Sequence, residues 1–551
     1  MNYLIYFLIN LIGELMNKIL KIPILISILT VGIVLGIQIE KVFSDDTLSD
    51  GIRKLNDVLS YTQKYYIEEV DTPKLVEAAI KGITNELDPH SFYISAKDFT
   101  AVEESFRGDF EGIGIEFQIV DDTLTVVSPI TGGPSEALGI LPGDRIVKID
   151  GEDCIGITND QVREKLRGKA GSKVKVSISR TGVPELIEYE ITRDKIPIYS
   201  VDVSLMLKDK TGYVSVSRFS ETTIDELREA LTNLNKQGMI QLVLDLRSNP
   251  GGYLSQAVEM ADLFIDGKKK IVYTEGRRKD TNEEYFASKS TPFEKVPLIV
   301  LINHGSASAS EIVSGAIQDW DRGLIIGETS FGKGLVQRQF TLSDNSALRL
   351  TISKYFTPSG RSIQRDYKDK KKYEEFYSNM EDTSISEGNN IEHSVEQDSS
   401  KPVFKTNKGR TVYGGGGITP DYIIKNEKVT DYTSNLLRQN IFYQFILNYI
   451  ERSGKEISTT FGNDLSRFVN EFQFSEEDIN KFVSFAKAKD IAFNDSEYQK
   501  DKHYIITRLK AQLARNFWKN EGWYSVMLTT DNQIEKSFSL FDEAKEIANL
   551  K

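Results

Sequence analysis

Residues 297–328 read PLIVLINHGSASASEIVSGAIQDWDRGLIIGE. An apolar run reads as a strand, small residues as a turn, EIVSGAIQDW as a helix with apolar positions at helical spacing, and LIIG as a second strand. Strand, helix, strand is the repeating unit of an α/β sheet. Working outward from 196 to 365, the rhythm recurs: GYVSVSRF, TTIDELREALTNL, QLVLDLR and YLSQAVEMADLF before it, LVQRQF and LRLTISKYF after it. The expectation is an α/β core.

The same stretch carries chemistry. Ser306, Ser308 and Ser310 alternate, and Lys333 follows Ser308 by 25 positions, set between Gly332 and Gly334. Serine needs an adjacent base to take its proton during attack. Lysine serves only when neutral, in an apolar or cationic setting that lowers its usual pKa of about 10.4. Phe331, Leu335 and Val336 surround Lys333, and no carboxylate in the local sequence is closer than Glu328. The flanking glycines permit close approach to another segment. Spacing alone does not choose among the serines. Ser308 with Glu311 fits a capping box, and a helix N-terminus favours a developing oxyanion, which favours Ser308. Taken singly, Ser308 also reads as a plain helix cap and Lys333 as a loop lysine.

Other residues bear on rival chemistries. Gly327 to Lys333 matches a phosphate-binding loop, but Gly334 stands where its Ser/Thr belongs, and the LVQRQFTL that follows reads as a strand where a helix should open. His90, His304, His393 and His503 show no metal-ligand spacing. His304 alone is near Ser308 and stays open as a triad histidine. Asp319, on nearly the same helix face as Ser308, stays open as a supporting acid. No metal and no cofactor is implied.

GSASASEI, TSFGKGLVQ and DLRSNPGG (245–252) together resemble the carboxyl-terminal processing, or tail-specific, proteases. The resemblance implies Ser308 as nucleophile, Lys333 as base and Gln337 as a residue that helps hold the lysine. It also implies oxyanion donors at the N–H of Ala309 and of Gly251 or Gly252, with Gly252 preferred. NPGG lies between an apolar run and a helical one, where glycines let backbone amides face a ligand.

Residues 105–195, with FEGIGIEFQIV, LGILPGDRIVKIDG and NDQVREKLRGKAGSKVKVSISR, resemble a PDZ domain. Such domains take a peptide as an added strand and hold its terminal carboxylate on loop amides. The resemblance places that loop at Gly112, Ile113, Gly114 and Ile115, with the two isoleucines forming a pocket for an apolar terminal side chain. Arg167 is the candidate for a gating contact. Protein substrates with apolar C-terminal tails are therefore the expected partners.

A net charge of −13 argues against nucleic acid, and a single cysteine, Cys154, excludes an intrachain disulfide. Residues 22–37, IPILISILTVGIVLGI, follow Lys18 and Lys21 and lack a small-residue cleavage site, so an uncleaved inner-membrane anchor with the body outside the cytoplasm is expected. Met16 offers an alternative start.

The expected class is α+β and multidomain: a layered α/β protease core with an inserted β-rich PDZ domain and a helical C-terminal extension. Its parts are an anchor at 1–45, a helical protease segment at 46–104, the PDZ at 105–195, the core at 196–430 with a mobile insertion at 366–410, and the extension at 431–551. The extension's amphipathic helices leave a homodimer arm, a lid, a docking surface and a plain cap open. A membrane-tethered PDZ adaptor with an inactive protease domain is the alternative function. The presence of both Ser308 and Lys333 favours the enzyme.

Overall fold

The computed structural model describes residue 5 and residues 46–379, 387–393 and 401–550. Residues 1–87 form one compact unit and residues 88–551 another. In the first, helices Asp46–Tyr65 and Thr72–Asn85 are described, the second capped by the Asp71 carboxylate, which accepts the Lys74 N–H at 3.1 Å. The expected anchor at 22–37 lies outside the described residues. Among these, no helix is long and apolar enough to cross a membrane.

The second unit is built on a seven-stranded sheet. Its order is Val201–Met206, Thr211–Val216, Gln241–Asp245, Leu298–Ile302, Leu324–Gly327, Tyr422–Ile423 and Gly388–Asn389, parallel in the middle and antiparallel at both edges. The run LIVLI is buried along its whole length, as a central parallel strand must be. Leu298, Val300 and Ile302 face helices Thr223–Lys236, Leu254–Asp262 and Ala309–Asp319. Ile299 and Leu301 face the opposite way, onto Ile534, Phe541 and Ala544 of helices Asn532–Phe538 and Phe541–Ile547 and onto Leu540 between them. The end of the extension thus covers the second face of the core sheet.

A second sheet holds the hairpin Leu335–Thr341 and Ala347–Phe356, with Phe92–Ile94 paired to the latter. The PDZ part is joined by a neck in which Asp109–Gly112 pairs with Asp194–Pro197. Its sheet runs Ile115–Val120, Thr123–Pro129, Arg145–Ile149, Lys173–Ser179 and Ile187–Thr192, so Ile115–Val120 is an edge. Helix Asn159–Leu166 packs its Val162 and Leu166 into that domain's core.

Helices Asp431–Arg438, Ile441–Phe461, Leu465–Glu471, Glu476–Ala488 and Asp495–Met527 build a separate aromatic core around Phe445, Phe468 and Phe482. Where it is described, the segment expected as a mobile insertion differs from a bare loop. It holds helix Lys370–Asn379, and His393 is fully buried beside Asp421 and Gln318. Local composition could not report those partners, because Gln318 lies 75 residues away.

Candidate active site

Three pieces of chain converge on a cavity of about 970 Å³: the NPGG turn, the start of helix Ala309–Asp319 and the loop carrying Lys333. Of the alternating serines, Ser306 and Ser310 are fully buried. Their hydroxyls donate to the carbonyls of Leu246 at 2.8 Å and Asn249 at 2.9 Å, whereas Ser308 lines the cavity. Ser308 has φ 54° and ψ −108°, a conformation that costs a non-glycine residue on the order of 1–3 kcal/mol and persists only when its surroundings enforce it.

Glu311 supplies much of that enforcement. Its fully buried carboxylate accepts the N–H of Ser308 at 2.7 Å, of Gly332 at 2.6 Å and of Lys333 at 2.9 Å, and the Ser330 hydroxyl at 2.6 Å. The expected capping box is therefore also a tie between the serine loop and the lysine loop. Tyr355 adds a second tie, its hydroxyl meeting the carbonyls of Lys333 at 2.6 Å and Ser308 at 3.1 Å.

Lys333 lines the same cavity. Burial pushes its pKa down, and the Arg349 guanidinium pushes the same way, opposed by Glu311 and Asp88. The local sequence showed no such carboxylate, because both acids are brought in from other elements. Arg349 lies over the rings of Phe92 at 5.5 Å and Phe106 at 5.2 Å, with Gln339 Oε1 at 2.9 Å. His90 is depressed to about 4 by burial and by Lys333. Gln337 lines the cavity and donates its Nε2–H to the His90 carbonyl at 2.7 Å. Its carboxamide thus holds the segment ahead of the PDZ, and among the described residues no hydrogen bond from it to Lys333 is present.

The NPGG turn packs directly on the serine. A Cβ on Gly251, at φ 97°, would lie 2.8 Å from Ser308 Cβ and 2.9 Å from the Ala309 nitrogen. A Cβ on Gly252 would lie 2.0 Å from the Phe219 carbonyl oxygen. The Gly251 N–H is taken by Asn249 Oδ1 at 2.9 Å. The N–H groups of Gly252 and Ala309 have no acceptor among the described residues.

His304 points elsewhere, its Nε2 3.7 Å from Glu328, and does not line the cavity. Asp319 sits at the far end of helix Ala309–Asp319, paired with Arg361 at 2.8 Å. In the PDZ part, Gly112 ends the neck strand, Gly114 has φ 72°, and Ile113 and Ile115 are 2% and 9% exposed within the domain core. Arg167 ends the PDZ helix, stacks on Phe110 at 4.6 Å and hydrogen-bonds Glu104. Glu104 belongs to helix Ala96–Arg107, which lends Val102, Glu103 and Phe106 to the cavity wall. Sequence reading missed Tyr355, Arg349 and Asp88.

Comparison with known proteins places the chain in a family. Residues 210–369 match peptidase family S41, residues 125–180 a PDZ domain, residues 37–98 the N-terminal domain of the activating protease CtpB, and residues 432–519 a family of unknown function, DUF8443. The carboxy-terminal-processing protease of Bartonella bacilliformis is 40% identical over 317 residues, 57% of this chain and 72% of its own length. The carboxy-terminal processing protease CtpA of Bacillus subtilis is 39% identical over 313 residues, 57% of this chain and 66% of its own. The photosystem II D1 C-terminal processing protease is 32% identical, covers 56% of this chain and 83% of its own, and superposes with a TM-score of 0.33. The chain belongs to the carboxy-terminal processing proteases of peptidase family S41, and is a serine-type peptidase with a PDZ domain.

Proposed function

We propose that the protein captures the C-terminal tail of protein substrates on its PDZ domain and cuts near that end through an acyl-enzyme at Ser308. Lys333, its pKa lowered by burial and by Arg349, accepts in its uncharged form the Ser308 proton as the hydroxyl attacks the scissile carbonyl. The N–H groups of Ala309 and Gly252 hold the oxyanion. Lys333 then protonates the leaving amine and activates the water that releases the acyl product. Gln337 holds the segment at His90 against the lysine loop. The observation that carries this reading is one cavity lined by Ser308, Lys333, Ala309 and Gly252, with two backbone donors left unused.

The tail adds to the edge strand Ile115–Val120, its carboxylate at Gly112 to Ile115 and its apolar side chain against Ile113 and Ile115. Arg167, through Glu104, links that domain to the helix that walls the cavity. Residues 22–37 anchor the enzyme in the cytoplasmic membrane, with Lys18 and Lys21 inside and the catalytic part in the cell envelope.

The test uses purified protein lacking residues 1–45 and an unfolded substrate with an apolar C-terminus. Wild type shortens the substrate, while Ser308→Ala and Lys333→Ala do not. Equal cleavage by either variant overturns the dyad, and no cleavage by wild type leaves the adaptor reading in its place.

A further inference from the structure

One short piece of the helical extension touches the tail strand, the core edge and the oxyanion turn in succession. On the edge strand Ile115–Val120, Ile115, Phe117 and Ile119 pack into the PDZ core, so Glu116 and Gln118 face outward. Arg515 Nη2 meets both Glu116 oxygens at 2.9 Å, and Asn440 hydrogen-bonds Gln118. At Lys519, where the helix Asp495–Met527 breaks with φ 52°, the ammonium donates to Thr131 Oγ1 at 2.7 Å and to Glu136. Asn520 and Tyr524 then hold Asp202 on the core edge strand, each at 3.2 Å. Asp531 and Gln533 close the run on Arg247 Nη1, at 2.8 and 3.0 Å.

Arg247 is two residues ahead of Asn249, where the oxyanion turn begins. Its guanidinium also grips Asp245, at 2.6 Å through Nη2, and so fixes the end of the strand from which the turn departs. Asn249 follows. Its side-chain Oδ1 accepts the Gly251 N–H, and its main-chain carbonyl accepts the Ala307 N–H at 3.0 Å and the Ser310 hydroxyl at 2.9 Å. A displacement at Asp531 therefore reaches Gly251 and the Ser308 loop through two residues of chain and a set of short hydrogen bonds.

We propose that residues 515–533 are a strut that fixes the oxyanion turn at a set separation from the tail-binding strand, so that the extension decides how far from its end a captured tail is cut. This rests on the reading of Ser308 as nucleophile and of Ile115–Val120 as the tail strand. The two ends of the strut differ in character. The Arg247–Asp531 pair is 15% and 16% exposed, where removing one partner leaves a largely desolvated charge. Arg515 and Lys519 are 31% and 46% exposed, in pairs that are individually weak and screened by salt. Loosening the exposed end frees the tail strand; loosening the buried end disturbs the turn.

The experiment uses full-length enzyme, with active sites counted by a serine-reactive fluorophosphonate and products of one apolar-tailed substrate weighed by intact-mass spectrometry. Wild type gives a narrow set of cut positions. In the Arg515→Ala, Lys519→Ala double variant the set spreads to bonds on either side. Asp531→Asn lowers kcat per counted site about tenfold, with KM within about twofold and the cut positions unchanged. If Asp531→Asn melts below the assay temperature, Gln533→Ala takes its place and shows a smaller fall of the same kind. Unchanged cut positions in the double variant, or unchanged kcat in the turn-end variant, overturns the strut. Cleavage by Ser308→Ala overturns the site reading itself, a result distinct from either.

Discussion

At the scale of single residues, the proposed chemistry turns on what lowers the pKa of the Lys333 amine. Burial favours the uncharged form, and Arg349, held between aromatic rings in the same cavity, adds a positive charge that disfavours a second one. Glu311 and Asp88 pull the other way. On the proposed mechanism activity rises with pH as Lys333 loses its proton, and Arg349→Gln should move that limb of the kcat/KM profile to higher pH, while Arg349→Lys restores it. An unmoved limb in Arg349→Gln would remove Arg349 from the account. His90 gives a stability prediction of definite sign. Its folded value of about 4 lies below the ordinary 6.5, so its contribution is full above 6.5 and is lost as pH falls through 4. Thermal melts of His90→Asn should decline less steeply than wild type across that window. The sequence displayed the Ser308 and Lys333 pairing. Arg349 was silent there, because what matters about it is the other side of the hairpin.

At the scale of elements, two ties hold the serine and lysine loops in register. Glu311 accepts four donors, three of them backbone N–H groups of those loops. Glu311→Gln replaces one acceptor oxygen by a donor, leaving buried groups unsatisfied, and should cost about 1–3 kcal/mol in denaturant unfolding together with most of the activity. The sequence showed Glu311 as half of a capping box, a local motif, and that half was legible. Its contacts 19 to 22 residues onward were not, since spacing says nothing about which loop returns. The NPGG turn was legible as a strand-to-helix turn, but the contact of Gly251 with Ser308 was not. Gly251→Ala faces both an unfavourable φ and a clash with Ser308 Cβ, and should abolish acylation in a protein that still melts cooperatively. Near-normal acylation there would show that the turn does not abut the nucleophile.

At the scale of the whole molecule, the strand and helix rhythm from 196 to 365 gave the core sheet because periodicity reports local burial. Lost to such reading was the completion of that sheet by residues 532–547, whose apolar faces read as generic helices until Ile299 and Leu301 are set against them. The C-terminal extension is thus two things, a helical body with its own aromatic core and a terminal pair of helices without which one face of the protease sheet would be bare. Truncation after residue 430 should therefore yield insoluble or molten protein, seen as lost near-ultraviolet dichroism, rather than a trimmed active core. The central claim remains the proton transfer from Ser308 to Lys333, and intact-mass spectrometry of the full-length enzyme after brief mixing with an activated acyl substrate tests it most directly. Wild type should gain one acyl group on Ser308 at neutral pH, and Lys333→Ala should gain none on the same timescale. Acylation of Lys333→Ala at the wild-type rate would contradict the account.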